Sequence, residues 1–353
     1  MAKEQKNKSL DDALDQLTKL GITMCKVTDA EKIEPIEVIP TGSLALNLAL
    51  GIGGYPRGRI TELYGQEMSG KSTLTLIAAA MTQCMGGTAV LLDAEHAYDP
   101  RLAHNLGVNV EKLLVHQPED GEQVFDTVRI LAENNAVDLV IVDSTAALAS
   151  RNELDGTMDD NKGGMASQAR LMSDGLRRTV GILGKSKVAL IFINQVREKP
   201  GVRYGDPTTT PGGKSLKFYS SVRLQVTRHA GKDDVFKDDA NNLIGCRTSV
   251  VVKKNKLAMP YKFCDFDLYF GRGIDPISEL VNLAVVSNVA TRSGGTYKYE
   301  EHKFSGLKHF IDVVRAMPKE EIDKLREKVI DAYPKTGLVQ LSESSEDDDS
   351  TGA

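Results

Sequence analysis

One short stretch constrains this chain more than any other. Gly65-Gln66-Glu67-Met68-Ser69-Gly70-Lys71-Ser72 fits the pattern GxxxxGK[ST]. An apolar run, Ile60–Tyr64, precedes it, and a helix-length run, Ser72–Met85, follows and stops at Gly86-Gly87. Strand, glycine-rich loop and helix in that order form a phosphate cradle. Glycines let backbone N–H groups wrap a triphosphate, and the helix N-terminus adds partial positive charge. Lys71 reaches for the β- and γ-phosphates, the Ser72 hydroxyl can ligate Mg²⁺, and Thr73 follows in the first helical turn. The nucleotide-binding set is therefore Gly65, Gln66, Glu67, Met68, Ser69, Gly70, Lys71, Ser72 and Thr73.

The surroundings repeat the alternation. Thr88–Leu92, Leu113–His116, Leu139–Val142 and Ala189–Ile193 are short buried-strand runs, separated by helix-length stretches such as Gly121–Asn134 and Ser167–Lys185. That pattern predicts an α/β fold with a mainly parallel sheet covered on both faces. Three further runs, Ser221–Thr227, Thr248–Val252 and Phe263–Tyr269, have little helix between them and are expected to extend the sheet antiparallel. Beyond Gly271-Arg272-Gly273, Ile277–Val286, Phe310–Met317 and Lys319–Ala332 read as helices. Near the start, Ser9–Leu20 reads as a short helix with Ser9 as N-cap and Leu10, Leu14, Leu17 and Leu20 as an apolar stripe; residues 1–8 read as frayed. The expected divisions are 1–35 for a docking helix and linker, 36–271 for the core, 272–335 for a small C-terminal α/β domain and 336–353 for a disordered acidic tail.

Composition removes several classes of function. The chain of 353 residues is 41% hydrophobic and 26% charged, enough to bury a sizeable core. No apolar run reaches the roughly 18 residues of a membrane span, and the N-terminus lacks an apolar signal region, so a cytoplasmic protein is expected. Cys25, Cys84, Cys246 and Cys264 lack CxxC spacing, which argues against a zinc ribbon or a disulfide framework. The net charge of −5 is concentrated in Glu343, Glu346, Asp347, Asp348 and Asp349, so a near-neutral body can still hold a basic groove.

Three more strand ends carry chemistry. Leu139–Val142 ends in Asp143, where a second Mg²⁺-site acid belongs opposite Ser72. Thr88–Leu92 runs into Asp93-Ala94-Glu95. Glu95 is the candidate to orient and deprotonate an attacking water, with Asp93 as its competitor. Ala189–Ile193 ends in Asn194-Gln195, where an amide either senses a γ-phosphate or caps the next loop.

These residues, with several further blocks in order, make the chain resemble the bacterial RecA recombinase family. The blocks are Thr41-Gly42-Ser43-Leu44, the Gly65–Ser72 loop, Asp93-Ala94-Glu95-His96-Ala97, Val142-Asp143-Ser144 and Phe192-Ile193-Asn194-Gln195-Val196-Arg197. Thr208-Thr209-Thr210 with Gly212-Gly213, Leu216-Lys217-Phe218-Tyr219 and Val251-Val252-Lys253-Lys254-Asn255-Lys256 complete the set. The likeness spans about residues 36–275 and continues more weakly to about 335. It implies a DNA-dependent ATPase that uses ATP and Mg²⁺, polymerises on single-stranded DNA, pairs it with homologous duplex and exchanges strands. It implies that Glu95 is the catalytic carboxylate, that Gln195 couples the γ-phosphate to a DNA-binding loop, and that Lys254 and Lys256 reach ATP held by a neighbouring copy of the chain. Phe218 would lie at the same interface, and the N-terminal helix would pack on the adjacent core. The C-terminal domain would help to receive duplex, restrained by the acidic tail. Loader proteins and a self-cleaving repressor are further partners that such a likeness suggests.

Two loops are expected to face DNA. The first, about 153–168, carries Glu153, Asp155, Asp159 and Asp160 against Lys162, so Met165, backbone amides and Arg170 on the following helix are its candidate contacts. The second, about 195–214, carries Arg197, Lys199, Arg203 and Lys214, with Gly212 and Gly213 exposing backbone N–H groups to phosphates and Tyr204 available to stack on bases. Asp99 can accept from an adenine amino group, while Leu102 stands where the family often has an aromatic residue. The competing reading is a ring helicase or regulatory ATPase of the same fold, which would need neither the second loop nor the Lys254/Lys256 pair.

Overall fold

The structure, a computed structural model, describes residues 2–21, 36–155, 164–198, 208–231 and 234–336. It divides into two units, Met1–Ile36 and Glu37–Ala353. The first contains helix α1, Ala2–Lys19. The helix does not begin at Ser9. Ala2, Lys3, Glu4, Gln5 and Lys6 are strong helix formers, so it propagates through the serine. Leu10 on it and Leu20 just past its end are exposed.

The second unit is built on a ten-stranded sheet. Its main strands in chain order are β1 (Ile60–Gly65), β2 (Ala89–Asp93), β3 (Leu114–His116), β4 (Leu139–Asp143), β5 (Ala189–Gln195), β6 (Val222–Arg228), β7 (Leu243–Asn255), β8 (Phe263–Tyr269) and β9 (Gly273–Ile274). In space they run β9-β8-β7-β6-β1-β5-β4-β2-β3. From β6 to β3 every neighbouring pair is parallel. The β6–β7, β7–β8 and β8–β9 pairs are antiparallel. One expectation is thereby corrected: Val222–Arg228 joins the parallel set, beside β1. The connection from Gln195 to Val222 includes helix α7 (Ser215–Tyr219), and is long enough for the crossover that a parallel neighbour requires.

Alternation along the strands divides the core between two faces. Leu139 and Ile141 pack on one side with Leu63, Leu74 and Ala78, under helices α2 (Leu44–Leu50) and α3 (Lys71–Cys84). Val140 and Val142 pack on the other with Val124, Val128, Met172 and Leu176, under α5 (Gly121–Glu133) and α6 (Gly164–Leu183). Each such fully buried aliphatic side chain is worth roughly 1.5–3 kcal/mol. Between α3 and α5 lies the short helix α4 (Pro100–Asn105).

Helices α8 (Pro276–Val286), α9 (Leu307–Ala316) and α10 (Lys319–Thr336) follow, with a three-stranded sheet, Thr291–Ser293, Thr296–Tyr299 and His302–Ser305, between α8 and α9. Glu279 of α8 accepts hydrogen bonds from Leu44 N at 2.8 Å, Ala45 N at 3.2 Å and the Ser43 hydroxyl, and so caps α2. Burial holds its carboxyl above the usual range, against those hydrogen bonds. No helix among the described residues is long and apolar enough to cross a membrane.

Candidate nucleotide and nucleic-acid sites

The phosphate loop leaves the carboxyl end of β1. A Cβ on Gly65 would stand 2.1 Å from Val226 O, so only glycine lets β1 and β6 close up here. Gly70 has φ 95° and starts α3 with no side-chain cap, leaving the first N–H groups of the helix available. Lys71 folds back into this loop. Its Nζ donates to Gln66 O at 2.6 Å and to Gly65 O at 3.1 Å. Burial lowers its pKa, opposed by the carboxylates of Asp143, Glu95 and Glu67. A largely desolvated ammonium resting on carbonyls can exchange them for phosphate oxygens. Ser69 is buried, whereas Gln66, Glu67, Met68 and Ser72 are exposed and Thr73 is half-buried.

Three strand ends converge on this loop. The Ser72 hydroxyl donates to Asp143 Oδ2 at 2.8 Å, which brings together the two groups expected to share a metal. Burial pushes the Asp143 carboxyl up to about 6; the Ser72 hydrogen bond opposes this, Glu95 and Asp93 add to it, and Lys71 works against it. The structure also separates the two rival acids on β2 and its loop. Asp93 is buried and already committed, accepting from Ala97 N and Tyr98 N at 3.1 Å each and from Gln117 Nε2 at 3.2 Å. Glu95 is exposed, and receives Gln195 Nε2 at 3.0 Å and the Ser144 hydroxyl. The two amides separate as well. Gln195 meets Glu95, whereas Asn194 turns inward to Glu62 Oε1 at 3.1 Å. Asp99 caps α4 through Arg101 N at 2.8 Å and pairs with the Arg101 side chain. That side-chain hydrogen bond lowers its pKa.

The second basic site lies elsewhere on the sheet. Arg223 of β6 registers with Lys254, but Leu224 registers with Val252, so β7 carries a bulge at Lys253. A one-residue bulge turns the following side chains to the opposite face. Val252 points into the core. Lys254 instead points to α7, where its Nζ donates to Lys217 O at 2.8 Å and Phe218 O at 2.9 Å. Lys256 Nζ reaches the same Phe218 carbonyl at 3.4 Å. Burial, then the neighbouring Lys256 and Arg223 charges, lower the Lys254 pKa to about 8. Phe218 itself is 66% exposed. Lys254, Lys256 and Phe218 therefore form one cluster.

That cluster lies away from the phosphate loop of its own chain. Lys254 faces Arg223, and Arg223 registers with Glu62, three residues before Gly65 on β1. At the rise of a strand that is roughly 10 Å short of the loop. Lys256 lies further back still, its N–H bonded to Ser221 O beside the start of β1.

The DNA-loop candidates divide. The first loop is shorter than expected: Arg151–Asp155 is helical and α6 already begins at Gly164. Ser150 anchors the early helix by accepting from Glu153 N at 3.3 Å, and Gln168 ties α6 back to Thr145 O at 2.9 Å. Met165 is the second residue of α6, and its side chain lies outside the described residues. Arg170 is exposed in a groove between α5 and α6. The second loop opens as a two-stranded ribbon, with Arg197 registered to Thr209 and Glu198 to Thr208. Gly212 and Gly213 have φ 81° and 76° and pack on Met172 and Ala169 of α6, and Lys214 is exposed at the start of α7. Lys199, Arg203 and Tyr204 lie outside the described residues. Four contributors had no assigned role in the sequence reading: Ser144, Gln117, the Lys253 bulge and the Glu62–Arg223 ion pair. Of these, Ser144 and Lys253 stand within the family-like stretches Val142-Asp143-Ser144 and Val251–Lys256.

Fold and loop together define a phosphate-loop ATPase whose sheet carries a second, separate basic cluster. Residues 8–275 match the family described as the RecA N-terminal domain. The chain is 46% identical over 347 residues to Protein RecA of Thermus aquaticus, covering 97% of this chain and 99% of that protein. Against Protein RecA of Thermus thermophilus the identity is 47% over 332 residues, covering 93% and 95%. Against that of Heliobacterium modesticaldum it is 52% over 265 residues, covering 75% of each. The chain belongs to the RecA family. It is an ATP-dependent DNA recombinase and DNA-dependent ATPase that binds nucleotide, binds DNA and self-assembles, which sets aside the helicase and regulatory readings.

Proposed function

We propose that one ATP is hydrolysed between two copies of this chain. One copy supplies the phosphate loop, Asp143, Glu95 and Gln195; the next supplies Lys254 and Lys256, with Phe218 beside them. The observation that carries this is the placement of the lysine cluster toward the opposite end of β1 from Gly65, on the exposed edge of α7. A cation arriving from a neighbour makes hydrolysis depend on assembly, because the charge developing on the phosphates is neutralised only at an interface.

Within the loop-bearing copy, Lys71 and the N–H groups of residues 66–73 hold the phosphates. Ser72 and Asp143 are hard oxygen donors in contact, and Mg²⁺ needs few protein ligands because it keeps waters and phosphate oxygens. Those two residues therefore fit the ion. When bound, it supplies charge neutralisation at the β- and γ-phosphate oxygens. Glu95 orients and deprotonates the attacking water. Gln195 bonds Glu95 at the base of the second loop, so the state of the γ-phosphate passes to the residues that follow it. Asp99 serves the adenine amino group. DNA phosphates meet Arg197, Lys199, Arg203, Lys214 and the N–H groups of Gly212 and Gly213, while Met165 and Tyr204 contact bases and Arg170 supports the first loop.

We further propose the division into 1–35, 36–271, 272–335 and 336–353, a cytoplasmic setting, and homologous duplex as the second DNA partner. Loader proteins and a self-cleaving repressor complete the set of partners. The deciding experiment is electron microscopy on single-stranded DNA with Mg²⁺ and a slowly hydrolysed ATP analogue. Open helical filaments are expected, and the absence of any nucleotide-dependent assembly would overturn the shared-site reading.

A further inference from the structure

Beneath the second loop lies a polar group that hydrolysis alone does not require. Glu62 sits within β1, fully buried, on a face otherwise filled by Ile60, Phe192 and Val142. A lone carboxylate there would be very unfavourable. Its two oxygens have separate partners: Oε2 receives Arg223 Nε, and Oε1 receives Asn194 Nδ2 at 3.1 Å. Asn194 in turn holds both ends of the second loop. Its oxygen accepts from Gln195 N at 3.0 Å, and its Nδ2 also donates to Pro211 O at 3.4 Å. On the other flank, the Arg223 guanidinium lies 4.4 Å over the Tyr64 ring and faces Lys254 across the bulge. Lys254 then grips the last carbonyls of α7, including that of Phe218. Hydrogen bonds thus run from Gln195 and Pro211 through Asn194 and Glu62 to Arg223, and the strand ladder pairs Arg223 with Lys254, which holds the Phe218 carbonyl.

We propose that Asn194, Glu62 and Arg223 form a buried positioning node that couples the Gln195 end of the DNA loop to the Phe218–Lys254 surface. Well-packed apolar residues would fill this space at no net loss of stability. The polar version instead fixes one arrangement of three strands and a loop, because each of its three side chains is hydrogen-bonded to another member of the node. The node rests on the shared-site reading above, since it gives the lysine surface something to signal to. None of its three side chains touches nucleotide or DNA in that reading; they act through Gln195 and Lys254.

Two variants test it. Asn194→Ala cuts the node at the loop and leaves the ion pair intact. Glu62→Leu with Arg223→Met removes both charges together, so neither is left buried alone. Each is compared with the unmodified chain for thermal unfolding, affinity for a slowly hydrolysed ATP analogue, and single-stranded DNA affinity with and without that analogue. The unmodified chain is expected to gain DNA affinity when the analogue is bound; no gain there would contradict the shared-site reading itself. In both variants the fold and the analogue affinity are expected to persist, while the gain falls by about tenfold or more. A full gain in either folded variant overturns the node. So does a uniform loss of stability and of both affinities with the gain ratio unchanged, which is the mark of a purely structural role.

Discussion

The two ends of β1 are built on different principles. At the carboxyl end, the phosphate loop is local: residues 65–72 are consecutive, and Lys71 finds its resting partners within six positions. Toward the amino end, the lysine cluster is assembled from the end of β7 and from α7, and one bulged residue decides which way Lys254 points. In the proposed reaction the first end holds the triphosphate. The second gathers two lysines on the carbonyls that end α7. In the proposed reaction, split between such ends, a folded monomer is an incomplete enzyme.

The contrast can be broken from either side, and the largest effect is expected at the loop. Lys71→Ala removes the cation nearest the phosphates, and steady-state hydrolysis should fall by roughly 10³-fold or more with the fold intact. Normal turnover would remove the loop from the reaction. Glu95→Gln should lower hydrolysis by roughly 10²–10⁴-fold while keeping ATP-dependent DNA binding. Loss of nucleotide binding would assign Glu95 to the cradle instead.

Smaller effects sharpen the other end. Because burial and two neighbouring cations bring the Lys254 pKa down to about 8, the lysine is charged below that pH and loses its charge above it. DNA-stimulated turnover should therefore decline on the alkaline side of about 8, and Lys254→Arg should move that limb upward, since arginine stays protonated. A limb unmoved by the substitution would assign the titration to another group. The smallest effect is expected in the DNA loop. Arg203→Ala should weaken single-strand binding uniformly across sequences and reduce the salt slope by about 1. An unchanged slope would take Arg203 off the phosphates.

How much of this was legible in the sequence follows the same contrast. The loop, its strand and its helix were readable because phosphate binding there depends on consecutive residues. The parallel α/β core was readable because strands buried on both faces, such as Leu139–Val142, leave unbroken apolar runs. Val222–Arg228 was misread because strand direction depends on the path of the connection, which periodicity does not report. Ala2–Lys6 was misread because helix propensity outweighed the cap signal of Ser9. The choice between Asp93 and Glu95 was open in sequence, since both follow one strand. The hydrogen bonds of Ala97, Tyr98 and Gln117 to Asp93, which favour Glu95 in the proposed mechanism, depend on the folded loop and on a residue 24 positions away. The Lys253 bulge has no sequence signature at all, because it is a property of two strands in register.

The central claim is that the two ends act across a subunit boundary, and mixed assembly tests it most directly. Glu95→Gln chains keep their lysines and lack the base; Lys254→Ala chains keep the base and lack a lysine. Each should be nearly inactive alone on single-stranded DNA. In an equal mixture, about a quarter of boundaries should pair an intact loop with an intact lysine cluster. Recovery of about that fraction of unmodified turnover is the predicted result. A mixture no more active than its two components would contradict the account, because it would place the base and the lysines in the same chain's site.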